Sequence, residues 1–311
     1  MRSRCFARVA HRNVGPVSIL LVAALLFGGV FVVTLEAQAI SSPRSNKVLD
    51  SAILENLTWR GIGPAVPSGR VNDFAVVESN THIIYAATAT GGAWKTINNG
   101  TTWEAVFDRE RTSALGAIAV APSNPNVVWV GTGESWGARL SSYGDGVYRS
   151  EDGGKTWQHM GLEQTRYIGR ILIHPEDAET VYVAALGSLW GPNDQRGLFK
   201  TTDGGKSWTH ALSINEHTGV VDVAMDPANP DLLYAAAYQR ERRAWNFIGG
   251  GEASGIFKTS DGGESWQERT AGLPQGDIGR IALSICRSKP NVVYAAVEAV
   301  GAENGVYRSS D

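Results

Sequence analysis

An eight-residue pattern that recurs along the chain places the strongest constraint on its fold. Each copy has Ser or Thr first, Asp or Asn third, Gly fifth and Trp last, and the four complete copies end at Trp103, Trp157, Trp208 and Trp266. These Trp residues are 54, 51 and 58 positions apart, and a fifth copy begins at Ser309-Ser310-Asp311. Self-similarity with a period of about 50 residues indicates an architecture of repeated structural units.

The chemistry of this octet is that of a tight hairpin turn. The Asp or Asn side chain and the first hydroxyl can hydrogen-bond to nearby backbone N–H groups, and Gly supplies the positive φ that such turns need. The third positions are occupied by Asn98, Asp152, Asp203, Asp261 and Asp311. We expect these residues and the Trp residues of the octets to be structural turn formers, not catalytic acids or metal ligands.

The residues between the octets repeat as well. A short β-type segment, a turn containing Pro or Asn and a second β-type segment recur, with first segments at 115–122, 168–175, 221–227 and 278–284. An apolar or aromatic pair, such as Val147-Tyr148, precedes each octet, with one residue between the pair and the octet. Four short strands per roughly 50 residues are typical of a propeller blade. The sequence therefore predicts an all-β fold, a β-propeller of four-stranded blades with about five units, in which the octet joins the third and fourth strands.

The first 39 residues have the pattern of a secretory signal peptide. Four Arg residues within the first twelve positions precede an apolar stretch over residues 17–35 and the small-residue sequence Ala37-Gln38-Ala39. This order predicts cleavage after Ala39, with an uncleaved membrane anchor as the alternative because the stretch is long enough to span a bilayer. We expect an exported protein in the periplasm, at the cell surface or outside the cell, with no membrane span in the mature chain if the signal is removed.

The remaining chain divides into a polar, flexible linker at residues 40–56 and the propeller at residues 57–311. Thr58-Trp59 resembles the end of an octet whose turn is missing, and the strand that follows it would complete the last blade. Because the sequence stops inside an octet, we interpret the propeller as incomplete at its C-terminus and as part of a longer protein. A closed ring of five blades is the alternative.

Composition gives no support to several classes of ligand. The chain has 28 Lys and Arg against 31 Asp and Glu, a net charge of -3, so a basic nucleic-acid-binding surface is not indicated. The His residues lack metal-ligand spacing, and no Gly-rich loop precedes a helix. We therefore predict no nucleic-acid partner, no metal and no cofactor.

Several motifs resemble those of a known group of proteins. G-G-A-W-K-T, W-V-G-T-G-E and A-A-L-G-x-L-W-G-P-N, at residues 91–96, 129–134 and 184–193, are similar to motifs of the Asp-box (BNR) repeat β-propeller superfamily. The resemblance is closest to exported bacterial proteins described as sortilin-N-terminal-like or BNR-repeat glycosyl-hydrolase-like. These are related to xyloglucanases and to the photosystem II stability/assembly factor. The resemblance covers about residues 57–311 and implies the fold more strongly than the function.

Three long loops between second and third strands carry the first set of candidate ligand-binding residues. Each loop contains a Trp and at least one Arg, a composition typical of binding hot spots. The candidates are Trp136, Arg139, Tyr143, Trp190, Arg196, Tyr238, Arg240, Arg243 and Trp245. We interpret them as a surface that binds a protein or a glycan; packing of the loops against a following domain is the alternative.

A second set lies where the innermost strand of each unit begins. Aligning the units places Arg70, Ala117, Arg170, Asp222 and Arg280 at corresponding positions. Arg70, Arg170 and Arg280 could surround the central channel and hold an anion. The structural alternative is that Asp222 pairs with these arginines.

Catalysis has weak support in the sequence. The resemblance to xyloglucanases implies an acid in the first blade, but Ala89 stands at the matching position, and glycoside hydrolysis requires two carboxyl groups. Glu134 and Asp145 are the remaining candidate acids, and we assign no catalytic residue. The leading hypothesis is a non-catalytic, exported propeller that binds a protein or glycan. The alternatives are a fragment of a glycoside hydrolase and a structural or assembly module.

Overall fold

The computed structural model describes residues 70–136 and 141–310, and strands dominate its regular secondary structure. The predicted signal peptide at 1–39, the linker at 40–56, Thr58-Trp59, Arg139 and Asp311 lie outside the described residues. Within the described ranges, no helix has the length and apolar character needed to cross a membrane.

The strands form five antiparallel sheets, each from one sequence repeat. Blade 1 contains β1 (Val71–Val76), β2 (Ile84–Thr88), β3 (Ala93–Thr96) and β4 (Glu104–Ala105). Blade 2 contains β5 (Leu115–Val120), β6 (Val128–Thr132), β7 (Val147–Ser150) and β8 (Gln158–His159). Blade 3 contains β9 (Ile168–Ile173), β10 (Val181–Ala185), β11 (Gly197–Thr201) and β12 (Thr209–Leu212). The order of strands within each sheet follows the chain, which confirms the predicted four-stranded blade.

The last two sheets depart from this plan. Blade 4 contains β13 (Thr218–Asp226), β14 (Asn229–Arg242), β15 (Phe247–Gly249), β16 (Gly255–Thr259) and β17 (Gln267–Arg269). Its β14 extends beyond the sheet and pairs with β15, so the segment predicted as a loop is a projecting hairpin arm. Blade 5 contains three strands among the described residues: β18 (Ile281–Ile285), β19 (Val293–Val297) and β20 (Gly305–Ser309).

The hydrophobic core lies between adjacent blades. Trp129 of blade 2 is fully buried in one cluster with Ile171, Val183 and Phe199 of blade 3. Similar clusters join blades 1 and 2, blades 3 and 4, and blades 4 and 5. Burying apolar side chains between sheets stabilises the fold by roughly 25 cal/mol per Å² removed from water. The stacking of blades is therefore the main source of stability.

Glycine on the inner strands permits this close stacking. A Cβ atom at Gly116 would lie 2.0 Å from the carbonyl oxygen of Ile168, and one at Gly169 would lie 2.3 Å from that of Val221. Both of these carbonyl oxygens belong to the next blade. Neither position has room for a side chain unless the blades move apart.

The octets form the predicted turns, with hydrogen bonds that repeat from blade to blade. Asp152 Oδ1 accepts bonds from Ser150 Oγ at 2.8 Å and from the Thr156 N–H at 2.9 Å, and its Oδ2 accepts one from Thr156 Oγ1 at 2.7 Å. Asp203 and Asp261 are held in the same way. Hydrogen bonds from the Thr156 side chain and backbone hold the pKa of Asp152 far below its usual range. These carboxylates are therefore occupied by their own turns.

The octets of blades 2, 3 and 4 also accept hydrogen bonds from the preceding blade. The Gly153 carbonyl accepts one from the Tyr85 hydroxyl at 2.9 Å and one from Lys95 Nζ at 2.8 Å. Tyr182 and Lys200 bind the Gly262 carbonyl identically, both at 2.8 Å. The buried backbone oxygen of one turn thus fixes the position of that turn on its neighbour.

Candidate ligand-binding face

The long loops all project from the face opposite the octets, which we call the loop face. In blade 3, Val181 pairs with Thr201 where the octet begins, and Ala185 pairs with Gly197 at the other end of the sheet. The residues between Ala185 and Gly197 therefore leave from the loop face, as do the matching segments of blades 2 and 4. This arrangement was predicted from strand order and is confirmed.

Four large aromatic side chains of the loop face are more than half exposed. The exposed fractions of Tyr143, Trp136, Trp190 and Trp245 are 66%, 56%, 59% and 80%. Isolated exposed apolar residues are common, but several indoles on one face are the usual mark of a recognition surface. The structure therefore brings the sequence-predicted Trp residues to the same side of the molecule.

The blade 2 loop crosses to blades 4 and 5. The carbonyl oxygen of Ser135 accepts a hydrogen bond from Arg240 Nη1 at 3.0 Å and one from Arg280 Nη1 at 3.4 Å. The Arg280 guanidinium also lies 3.6 Å from the centroid of the Trp136 ring. Sequence analysis did not single out Ser135, because a backbone acceptor leaves no signal in residue type.

Arg196 supports the loop of blade 3 from inside. It is 1% exposed, and its guanidinium donates to the carbonyl oxygens of Leu186 at 2.9 Å, Gly191 at 2.9 Å and Arg240 at 3.1 Å. Burial lowers its pKa to about 10. Although it is a sequence-predicted ligand residue, Arg196 lies beneath the surface and shapes the loop that presents Trp190.

The hairpin arm of blade 4 carries Trp245 at its tip. The turn is closed by the Arg243 N–H donating to the Asn246 carbonyl at 2.9 Å. Arg243 Nε donates to Glu241 Oε1 at 2.7 Å, and this hydrogen bond lowers the pKa of Glu241. Tyr238, another predicted ligand residue, is buried at the base of the arm. Only the tip of the arm is therefore available to a ligand.

The channel residues form an ion-pair network between blades. Arg170 donates from Nη1 to Asp73 Oδ1 at 3.1 Å and from Nε to Asp222 Oδ1 at 2.9 Å. The remaining carboxylate oxygens accept backbone N–H groups of the next blades, Ile118 at 3.1 Å and Leu283 at 2.8 Å. Burial raises the pKa of Asp73, although Arg170 opposes the shift. The structural alternative considered for Asp222, pairing with Arg170, is what the structure shows.

The other two arginines of this set occupy different positions from Arg170. Asp73 pairs with Ala87 just as Arg170 pairs with Ala184, and both ladders have a register irregularity directly before these residues. Arg70 precedes this irregularity and instead forms an ion pair with Glu134. Arg280 likewise precedes β18. Alignment of the units by sequence alone therefore assigned the channel positions of blades 1 and 5 to the wrong residues.

The candidate acids of the blade 2 loop, Glu134 and Asp145, form an ion pair and a hydrogen bond with neighbouring side chains. Glu134 is 1% exposed and paired with Arg70. Asp145 Oδ2 accepts a hydrogen bond from the Tyr148 hydroxyl at 2.8 Å. Within residues 70–136 and 141–310, no cluster of His, Cys, Asp and Glu suitable for a metal ion is formed.

A cavity of about 410 Å³ opens in the channel on the octet side. First strands from all five blades line it, and Asp73, Arg170 and Asp222 are among the lining residues. At its rim, Arg287 Nη1 of blade 5 donates to Glu78 Oε1 of blade 1 at 2.5 Å. The channel is therefore bounded by strands of every blade.

Parts of the chain are similar in sequence to known proteins. Residues 145–275 match the Sortilin-Vps10 family model, described as sortilin, neurotensin receptor 3. A xyloglucanase of a Paenibacillus species is 25% identical over 74% of this chain, and xyloglucanase Xgh74A of Acetivibrio thermocellus is 26% identical over 79%. The chain spans 24% and 31% of the lengths of these two relatives.

A solved structure shows the same fold. The GH74 xyloglucanase from Xanthomonas campestris has a TM-score of 0.57 and 19% identity, and the match covers 78% of this chain and 37% of that one. The repeated octet turns, the four-stranded sheets and these matches agree with one another. The chain therefore resembles the Asp-box (BNR) repeat β-propeller superfamily in sequence and in fold.

Proposed function

We propose that this protein is an exported, non-catalytic propeller that binds a polysaccharide on its loop face. The proposal depends on the indoles of Trp136, Trp190 and Trp245, which lie on that one face and are each more than half exposed. The names of the relatives, xyloglucanases, favour a glycan over a polypeptide. Export is supported by the signal-peptide pattern of residues 1–39.

Indole rings suit this task because they offer a large flat apolar surface at a small cost in conformational entropy. A buried aromatic side chain contributes about 150–250 Å² of contact. The rings stand on supported elements: Arg196 holds the loop of Trp190, and the Arg243–Asn246 turn holds Trp245. Preorganised contact residues lose less freedom on binding, which increases affinity.

The surroundings of the acids support binding without hydrolysis. Glycosidases use two carboxyl groups that flank the scissile bond. Glu134 is covered and paired with Arg70, and Asp145 is hydrogen-bonded to Tyr148. Ala89 stands where the resemblance to xyloglucanases implies an acid, and its side chain is buried.

The test is binding to a panel of soluble polysaccharides by affinity electrophoresis and calorimetry, with xyloglucan and mixed-linkage β-glucan included. Replacing Trp136, Trp190 and Trp245 together by Ala should lower affinity at least thirty-fold. Trp103→Ala is the matched control, since Trp103 is an indole 40% exposed on the octet side. Unchanged binding by a folded triple variant would overturn the proposal, and so would binding of polypeptides alone.

A second candidate function is favoured by the relatives themselves. Because the chain spans under a third of their lengths, it could supply one propeller of a larger xyloglucan hydrolase. Release of reducing ends from xyloglucan by the purified protein, and its loss in Glu134→Gln or Asp145→Asn, would establish this alternative. No release at high enzyme concentration would exclude hydrolysis by this chain.

A further inference from the structure

Among residues 70–136 and 141–310, Arg240 is a buried cation without an anionic partner. It lies near the end of β14 and is 2% exposed. Its Nη1 donates to the neutral Ser135 carbonyl at 3.0 Å, whereas no described residue accepts a hydrogen bond from its Nε or Nη2. Burial, with Arg280 and Arg196 nearby, lowers its pKa to about 10. An unpaired buried charge is costly, and in proteins such charges are usually matched.

Two guanidinium groups share one acceptor beside this residue. Arg240 and Arg280 both donate to the carbonyl oxygen of Ser135. The carboxylates of Glu298 and Glu241 accept hydrogen bonds from groups other than the Arg240 guanidinium. Glu298 accepts the Arg280 N–H at 3.1 Å, and Glu241 is bonded to Arg243.

The free edge of Arg240 has the geometry of an anion receptor. Adjacent guanidinium N–H groups form a planar fork that matches the two oxygens of a carboxylate. Arg280 adds a second cation beside it and stacks on Trp136, so charge and aromatic surface adjoin within one loop. An acidic sugar placed on Trp136 would bring its carboxylate towards this pair of arginines.

We propose that Arg240 and Arg280 form a subsite for a carboxylate, the uronate group of an acidic polysaccharide. The carboxylate oxygens accept hydrogen bonds from Nε and Nη2 of Arg240, and the Ser135-Trp136 turn shifts to admit them. This inference rests on the proposed function of the loop face and adds the substrate class. It predicts that charge on the polymer, and not only its sugar rings, determines affinity.

The decisive comparison uses one polymer in two charge states. Polygalacturonate and its fully methyl-esterified form have the same backbone, but only the first carries carboxylates. Calorimetry on the full chain should show binding of polygalacturonate at least ten-fold tighter than binding of the ester. Arg280→Gln and Arg240→Gln should remove this difference, whereas Arg269→Gln, which deletes an exposed Arg of β17, should retain it.

The outcomes separate this inference from the proposed function. If the ester and neutral glycans bind through the Trp residues and charge adds nothing, the carboxylate subsite is refuted and polysaccharide binding stands. If a preference for polygalacturonate persists in a folded Arg280→Gln variant and a folded Arg240→Gln variant, the assignment of residues is refuted. If no polysaccharide binds, both proposals fail, and Arg280-dependent binding of poly-glutamate instead would assign the subsite to a polypeptide.

Discussion

The guanidinium of Arg280 stacks on the ring of Trp136 at 3.6 Å, although the two residues belong to blades 5 and 2. The contacts of the blade 2 loop are therefore not confined to its own sheet. Through Ser135 and Trp136 it contacts blades 4 and 5 across the channel. The position of the exposed indole depends on residues more than one hundred positions away in sequence.

Loss of this stacking should weaken the fold slightly. A cation–π contact near the surface contributes about 0.5–1 kcal/mol, so Arg280→Ala should lower Tm by roughly 1–4 °C for a domain of this size. Differential scanning calorimetry would measure the change. Arg269→Ala, in the exposed strand β17, should leave Tm within about 0.5 °C; equal shifts for the two variants would contradict the assignment.

The ion-pair network in the channel should contribute more to the stability of the fold than the Arg280–Trp136 contact does. Arg170→Ala leaves Asp73 and Asp222 largely buried without their cation, which should cost about 2–4 kcal/mol in free energy of unfolding. The figure is below that of a fully buried pair because the Arg170 side chain is 39% exposed. Urea denaturation would measure it.

A double-mutant cycle gives the control for this prediction. If Arg170 and Asp222 act as a pair, Arg170→Ala combined with Asp222→Asn should be less destabilising than the sum of the single changes by at least about 1 kcal/mol. Additive effects would show that the two side chains are energetically independent.

The octet carboxylates should make stability depend on pH in a defined direction. Hydrogen bonds from side-chain hydroxyls lower the pKa values of Asp152, Asp203 and Asp261 in the folded state. A group with a lowered folded pKa stabilises the fold above its unfolded pKa of about 3.9, and this stabilisation is lost as pH falls below that value. The urea midpoint should therefore drop between pH 5 and pH 3.

Asn98 indicates how to test the octet prediction without destroying the turn. Its Oδ1 accepts a hydrogen bond from the Thr102 N–H at 2.9 Å, as the octet Asp residues do, but its side chain carries no charge. Replacing the three octet Asp residues by Asn should preserve the circular dichroism spectrum and reduce the acid-induced drop in the urea midpoint. An unchanged drop would assign the acid sensitivity to other carboxylates.

The inter-blade hydrogen bonds offer a comparison of equivalent tyrosines. Tyr182→Phe removes the bond to the Gly262 carbonyl and should cost about 1 kcal/mol. Tyr85→Phe removes the equivalent bond to the Gly153 carbonyl and should cost about the same. Thermal melts of both variants would measure the two costs; unchanged stability in either variant would contradict this interpretation.

Much of the fold could be predicted because the octet reports directly on backbone geometry. Its Asp, Gly and Trp each perform a local task, so their spacing defines the third and fourth strands and, by alternation, the face of the long loops. The hairpin arm of blade 4 was missed because Arg240, Glu241 and Arg242 lie in a charged stretch that is not typical of a strand. Its pairing with β15 is a local hairpin between residues 240–242 and 247–249, which these residue types do not indicate.

The candidate site was less predictable than the fold. Residue type identified Trp136, Trp190 and Trp245 but could not separate exposed Arg residues from Arg196, which is buried among carbonyl oxygens. Asp73 was overlooked because the sequence alignment of the units matched Arg70 to Arg170, whereas the strand pairing matches Asp73 to Arg170. Burial and register depend on contacts between distant repeats, and single-sequence patterns do not contain them.

The bonds from Tyr85 and Lys95 to Gly153 recur at Tyr182, Lys200 and Gly262. Between blades 2 and 3 the donor is instead Arg149, which binds the Gly204 carbonyl at 3.2 Å. In each case the acceptor is a backbone carbonyl oxygen of the octet, which does not depend on residue type. Substitutions can therefore change the side-chain donor of one blade during evolution while the turn that accepts its hydrogen bond is retained.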